Sequence, residues 1–88
     1  MITLKEKSII KKLASHYRVK RVLLFGSNLS QKKARDIDLA VEGLPAKHFF
    51  EFYGDLLFSL PKPVDLIDLS KDSKFTRLVR QDGLTIYG

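Results

Sequence analysis

The chain has 88 residues, no cysteine, and a net charge of +6 from 16 Lys/Arg against 10 Asp/Glu. That length allows one domain, residues 1–88, with a core that hides only about 60% of the unfolded surface. The lack of Cys excludes disulfides, thiolate metal sites and a Cys nucleophile, and 44% hydrophobic with 30% charged residues describes a globular chain rather than a disordered one.

The charge is unevenly spread. Residues 1–35 carry ten Lys/Arg and one acid, whereas residues 36–88 carry six Lys/Arg and nine acids. A basic first part reads either as a solvated, Lys-rich helix face or as a site for phosphates or nucleic acid. The first thirteen residues hold four lysines and no apolar block, so no signal peptide is expected. Apolar runs reach only about four residues, against roughly 20 for a membrane span. A cytoplasmic location is expected.

Thr3 and Glu6 have capping-box spacing and predict a helix start. Ile9, Ile10, Leu13 and Tyr17 follow at helical spacing, and the helix should end near His16–Arg18. Val19 to Phe25 is β-rich and bounded by Gly26-Ser27-Asn28, which predicts a buried strand. Residues 29–35 read as a polar, basic turn or short helix. Asp36 to Val41 alternates strictly, with Asp36, Asp38 and Ala40 on one face and Ile37, Leu39 and Val41 on the other.

Pro45 fits a first helical turn. Phe49, Phe52, Tyr53, Leu56, Leu57 and Leu60 then mark the clearest amphipathic helix, which Pro61 and Pro63 stop. Val64 to Leu69 predicts another strand. Ser70 or Asp72 is the expected cap of a last helix with Phe75, Leu78 and Val79 on one face. Gly83 stands where a helix C-terminal glycine belongs, and Leu84 to Tyr87 predicts a short tail able to pair with a sheet edge. The order α-β-(turn)-β-α-β-α-(β) predicts an α/β (α+β) fold, a small mixed sheet flanked by helices.

The chemistry concentrates in three segments. Carboxylates at i and i+2 of a strand, as in Asp36 and Asp38, share a face with Cα atoms roughly 6.5–7 Å apart. At 5 Å and an effective dielectric of 20 their repulsion is about 3 kcal/mol, so the pair should either raise a pKa or hold a divalent metal. Oxygen ligands favour Mg²⁺ or Mn²⁺. The plainer reading is an edge strand whose solvent face shows two acids. Asp65 and Asp68 lie three apart on the next strand and point to opposite faces, so only one can join the pair. Asp65, mid-strand, is taken for the metal, and Asp68, at the strand end, for a turn cap. Gly26 lets the backbone approach a phosphate, and the Ser27 hydroxyl can add a hydrogen bond.

Taken together, LLFGS, DIDLAVEG, VDLIDLS and RLVRQDGLTIYG, spread over residues 19–87, resemble the minimal nucleotidyltransferases of the polymerase-beta-like superfamily. The resemblance implies the nucleotidyltransferase fold. It also implies the antitoxin half of a toxin–antitoxin module that transfers AMP from ATP to a tyrosine of a partner HEPN-domain toxin, within a hetero-oligomer. On that likeness Gly26 and Ser27 would hold the triphosphate, and Asp36 and Asp38 would bind two Mg²⁺ ions. Asp65 would be a third metal ligand or the base for the attacking hydroxyl. Within the loop, Leu29-Ser30-Gln31 and Arg35 depart from the family pattern, and Lys32, Lys33 and Arg35 read either as replacement phosphate cations or as surface charges. Two other functions follow from these features: an antitoxin that neutralises its partner by binding alone, and a nucleotidyltransferase acting on RNA.

Overall fold

In the computed structural model, residues 2–26 and 36–88 are described. Helix α1 runs Leu4–His16 and is followed by strand β1, Arg21–Leu24, and strand β2, Ile37–Glu42. A 3-10 turn, Ala46–His48, leads into helix α2, Phe49–Ser59, then strand β3, Val64–Asp68, helix α3, Lys74–Asp82, and strand β4, Leu84–Tyr87. The sheet order is β3-β2-β1-β4. β1 pairs antiparallel with β2 and β4, and β2 pairs parallel with β3. This is the mixed α+β sheet predicted above, with the C-terminal tail paired on an edge.

Local chemistry sets the helix starts. Thr3 Oγ1 accepts from the Glu6 N–H at 3.0 Å while Glu6 Oε1 accepts from the Thr3 N–H at 2.8 Å, a complete capping box. The buried Glu6 carboxylate also faces Lys62 Nζ at 3.8 Å. Ser73 caps α3 in the same reciprocal way with Thr76, in place of the expected Ser70 or Asp72. Asp72 instead takes a two-pronged bond from Arg77, and Ser70 lies in the turn after β3, where its N–H bonds Asp68 Oδ1 at 2.9 Å. At the far end of α3, Gly83 is the C-cap, but with φ −69° it does not use glycine's left-handed freedom. Packing accounts for the glycine: a Cβ there would stand 2.6 Å from the Val79 carbonyl oxygen and 3.3 Å from Leu23 Cβ.

The core is divided by the sheet. On its back face Val22, Leu24, Ile37, Leu39, Val41, Val64, Leu66 and Ile86 meet Ile10 and Ala14 of α1 and Phe52 and Leu56 of α2. On the front face a smaller cluster joins Leu23 and Ala40 to Leu69 and Val79, with α3 as its lid. Two predicted stripes turn out narrower than their spacing. Leu57 of α2 is 49% exposed, and on α3 Phe75 and Leu78 are 52% and 55% exposed while Thr76 and Val79 are buried. A short helix resting on one or two sheet residues buries only the centre of its apolar arc.

Polar ties lock the helices onto this frame. Tyr53 donates its hydroxyl to the Val64 carbonyl at 2.7 Å. Tyr17, at the end of α1, donates to Asp55 of α2 at 2.5 Å. Arg80 of α3 bonds Glu42 at the end of β2 and the Leu69 carbonyl at 2.6 Å, and Arg21 Nη2 lies 3.3 Å from the same Glu42 carboxylate.

Both carboxylate ties imply a pH dependence. The hydrogen bond to Asp55, with lesser help from burial, pushes the Tyr17 hydroxyl up from 10.0 to about 12. A folded pKa above the unfolded one means this stabilisation is fully present below about pH 10 and is lost as pH rises through 12. Of the three tyrosines, the phenolate signal that disappears in Tyr17→Phe should titrate near 12, and Asp55→Asn should bring it back toward 10. The Arg80 hydrogen bond holds Glu42 below its ordinary 4.5, and neighbouring Arg21 acts in the same direction. Its stabilisation is therefore present above about pH 4.5 and is lost as pH falls through the lowered value. Urea midpoints measured from pH 7 to pH 3 should fall less steeply in Glu42→Gln than in the unaltered chain.

Candidate functional site

The alternation of β2 decides where its acids go. Ile37, Leu39 and Val41 are fully buried on the back face, so Asp38 must lie on the front, and Asp36 sits in the bend just ahead of the strand. Asp36 is exposed and Asp38 half-buried. The parallel register then pairs Asp38 with Asp65 of β3. Register partners in neighbouring strands share a face and lie about 4.8 Å apart. Asp65 is exposed. Asp68, opposite Val41 in the register, is occupied with the turn at Ser70.

The third strand completes this corner. The Phe25 N–H bonds the Asp38 carbonyl at 3.1 Å, which delivers Gly26 to the Asp38 side chain. Gly26 adopts φ +70°, and a Cβ on it would fall 2.7 Å from Asp38 Oδ2. Glycine is required there twice over, for the left-handed backbone and for the space the carboxylate takes. Ser27, Lys32, Lys33 and Arg35 lie outside the described residues. Gly26, Asp38 and Asp65 thus meet at one end of the front face, and Asp36 lies in the bend that leads into β2 there. Among the described residues, no three His, Asp or Glu side chains lie close enough to hold a metal ion between them.

Beside this corner, the front face opens into a cavity of about 260 Å³ lined by Phe25, Gly26, Phe75, Leu78, Val79 and Asp82. Phe25 and Phe75 meet edge-to-face with ring centroids 5.9 Å apart. Of these residues only Gly26 carries a functional expectation from the sequence, as part of the triphosphate site; Phe25 falls in the predicted first strand, and Phe75, Leu78 and Val79 on the apolar face of the last helix. One available signal is parity: Phe25 follows Leu23 by two residues and so shares the front face with Asp38, its neighbour across the ladder.

Residues 7–88 match the profile of the family described as polymerase beta, nucleotidyltransferase. The chain belongs to that family. Among solved structures it is similar to a toxin–antitoxin complex crystallised with AMP-PNP, at 29% identity and TM-score 0.74 over 93% of this chain and 73% of that one. It is likewise similar to the toxin–antitoxin MntA–HepT, at 26% identity and TM-score 0.74 over 98% and 73%. A third similar structure is an MntA–HpeT mutant with two Asp→Glu changes two residues apart, at 30% identity and TM-score 0.75 over 97% and 74%. No curated protein sequence matches the chain. None of the helices among the described residues is long and apolar enough to cross a membrane.

The contact between Gly26 and Asp38 can be measured. Gly26→Ala should cost about 1–2 kcal/mol of stability from left-handed strain, plus the displacement of the Asp38 carboxylate. Urea denaturation of a double-mutant cycle checks it. In an Asp38→Ala background the cost of Gly26→Ala should shrink to the backbone strain alone, whereas an equal cost in both backgrounds would mean the two groups do not touch.

Proposed function

We propose that this chain is a metal-dependent nucleotidyltransferase that moves AMP from ATP to a tyrosine hydroxyl of a HEPN-type toxin, and so acts as the antitoxin of the pair. The observation that carries this reading is the register of β2 against β3, which sets Asp38 beside Asp65 with Gly26 against Asp38. Family membership and the likeness to toxin–antitoxin complexes, one of them with AMP-PNP, support the substrate and the partner. The Asp→Glu pair changed in the third neighbour has the spacing of Asp36 and Asp38.

The donor set suits the metal. Three carboxylates on one face offer only hard oxygen ligands, the preference of Mg²⁺ and Mn²⁺. Asp36 and Asp65 are exposed, and both would turn toward Asp38 to share an ion with it. Bound there, two such ions would neutralise charge on the attacking and leaving oxygens.

The protein's own groups have simple tasks. Gly26 and Ser27 would hold the triphosphate. Asp36 and Asp38 would be the metal ligands. Asp65 would be a third ligand or would accept the proton of the tyrosine hydroxyl. The hydroxyl oxygen forms a bond to the α-phosphorus, the bridging bond to the β-phosphate breaks, and pyrophosphate leaves with the electron pair. Positioning and charge stabilisation carry most of such a transfer.

The test uses labelled ATP, Mg²⁺ and a HEPN-type protein encoded beside this chain as the acceptor. Label should appear on a toxin tyrosine, and Asp38→Asn or Asp36→Asn should reduce the rate by about 10²–10³, the scale of removing one electrostatic contact to the transition state. Chelation of the metal should abolish the signal. Neutralisation of the toxin that persists in Asp38→Asn without ATP would replace this reading with inhibition by binding alone.

A further inference from the structure

We propose that the cavity beside Gly26 is the nucleobase pocket of this site, with Phe75 as the stacking surface and Asp82 as the group that selects a base bearing an exocyclic amine, adenine foremost. The inference rests on the nucleotidyltransferase reading and extends it to substrate choice.

Continuity comes first. Gly26 lines the cavity and also abuts the Asp38 carboxylate, where a Cβ would stand 2.7 Å from Oδ2. A nucleotide whose phosphates sit at the carboxylate corner therefore has an apolar recess next to it.

The character of the lining comes second. Phe25, Phe75, Leu78 and Val79 are apolar, and Phe75 and Leu78 stand more than half exposed at the mouth although α3 has a buried side available to it. Contact with Phe25 holds the Phe75 ring in place. Flat aromatic ligands gain most from such a wall, because every base offers a π-face. Small-molecule sites generally pair an apolar lining with a few polar groups that set orientation.

Asp82 is that polar group. It is exposed at the rim and lies one residue before the Gly83 cap that fixes its position. An ionised carboxylate only accepts hydrogen bonds. It suits the amine of adenine and opposes the carbonyl that inosine carries at the same ring position.

Calorimetric titration of the full chain with MgATP, MgITP and magnesium tripolyphosphate tests this. Phe75→Ala should weaken MgATP binding at least about fivefold, the lower end for loss of one stacking contact, with tripolyphosphate affinity unchanged. Asp82→Asn should lower the preference for MgATP over MgITP, since an amide can donate to the inosine carbonyl. Both positions are exposed, and matching urea midpoints would verify that the variants fold. Wild-type MgATP affinity and preference in both variants, with tripolyphosphate still bound, overturns the pocket and leaves the transferase reading standing. Failure of the unaltered chain to bind any of the three overturns both.

Discussion

The parity of β2 governs this molecule. A strand has two faces, and a slip of one residue exchanges them. Ile37, Leu39 and Val41 are fully buried against α1 and α2, each worth about 1.5–3 kcal/mol relative to exposure. That burial is what holds Asp38 on the opposite face. Asp is a poor strand former, and a slip that buried its charge unpaired would be more costly still. The stability of the back face therefore fixes the chemistry of the front. β1 and β3 repeat the division, with Val22, Leu24, Val64 and Leu66 turned to the same helices.

The front face is covered at one end and open at the other. α3 rests on it through Val79 and through Arg80, which reaches Glu42 and the Leu69 carbonyl. Glu42 lies on the same side of β2 as Asp38, four residues along. Two carboxylates of one strand face thus have different environments. Glu42 is surrounded by Arg80, Arg21 and Lys20 and is consumed in holding a helix. Asp36 and Asp65 stand exposed at the other end, where a cation or a phosphate can approach. Ala40, between them, is buried beneath α3 and marks where the cover stops.

Much of this is legible in the residues. The Thr3–Glu6 box, the alternation of residues 36–41 and the stop after Leu60 are local patterns, and local patterns need only neighbours in sequence. The pairing of Asp38 with Asp65 is of another kind. Strand spacing shows that only one of Asp65 and Asp68 can share a face with Asp38, but the parallel register that puts Asp65 there depends on how far the α2 crossover carries the chain. Tyr17–Asp55 and Arg80–Glu42 each span 38 residues and have no sequence signature. The cap of α3 is ambiguous in sequence for a related reason: Ser70, Asp72 and Ser73 all have capping chemistry, and Ser73 takes the role because Thr76 completes its box. Periodicity located the apolar arc of α3 but not its depth, since depth is set by the width of the sheet beneath.

That shallow seating bears on function. A helix that buried Phe75 and Leu78 would add a few kcal/mol to a small domain and would close the recess beside Gly26. The chain instead leaves two large apolar side chains exposed next to its carboxylate corner and meets the shortfall with ion pairs at Glu42. Surface pairs contribute little in isolation, but here one carboxylate gathers several cations and a backbone carbonyl completes the contact, so the helix is fixed along one side while the side carrying Phe75, Leu78 and Asp82 stays accessible. The same arrangement gives the uneven charge of the chain a physical sense. The acids of the second part are not a diffuse counterweight to the basic first part, because Glu42 at the end of β2 anchors α3, Asp68 of β3 holds the turn at Ser70, and Asp38 and Asp65 stand side by side in the register of β2 and β3.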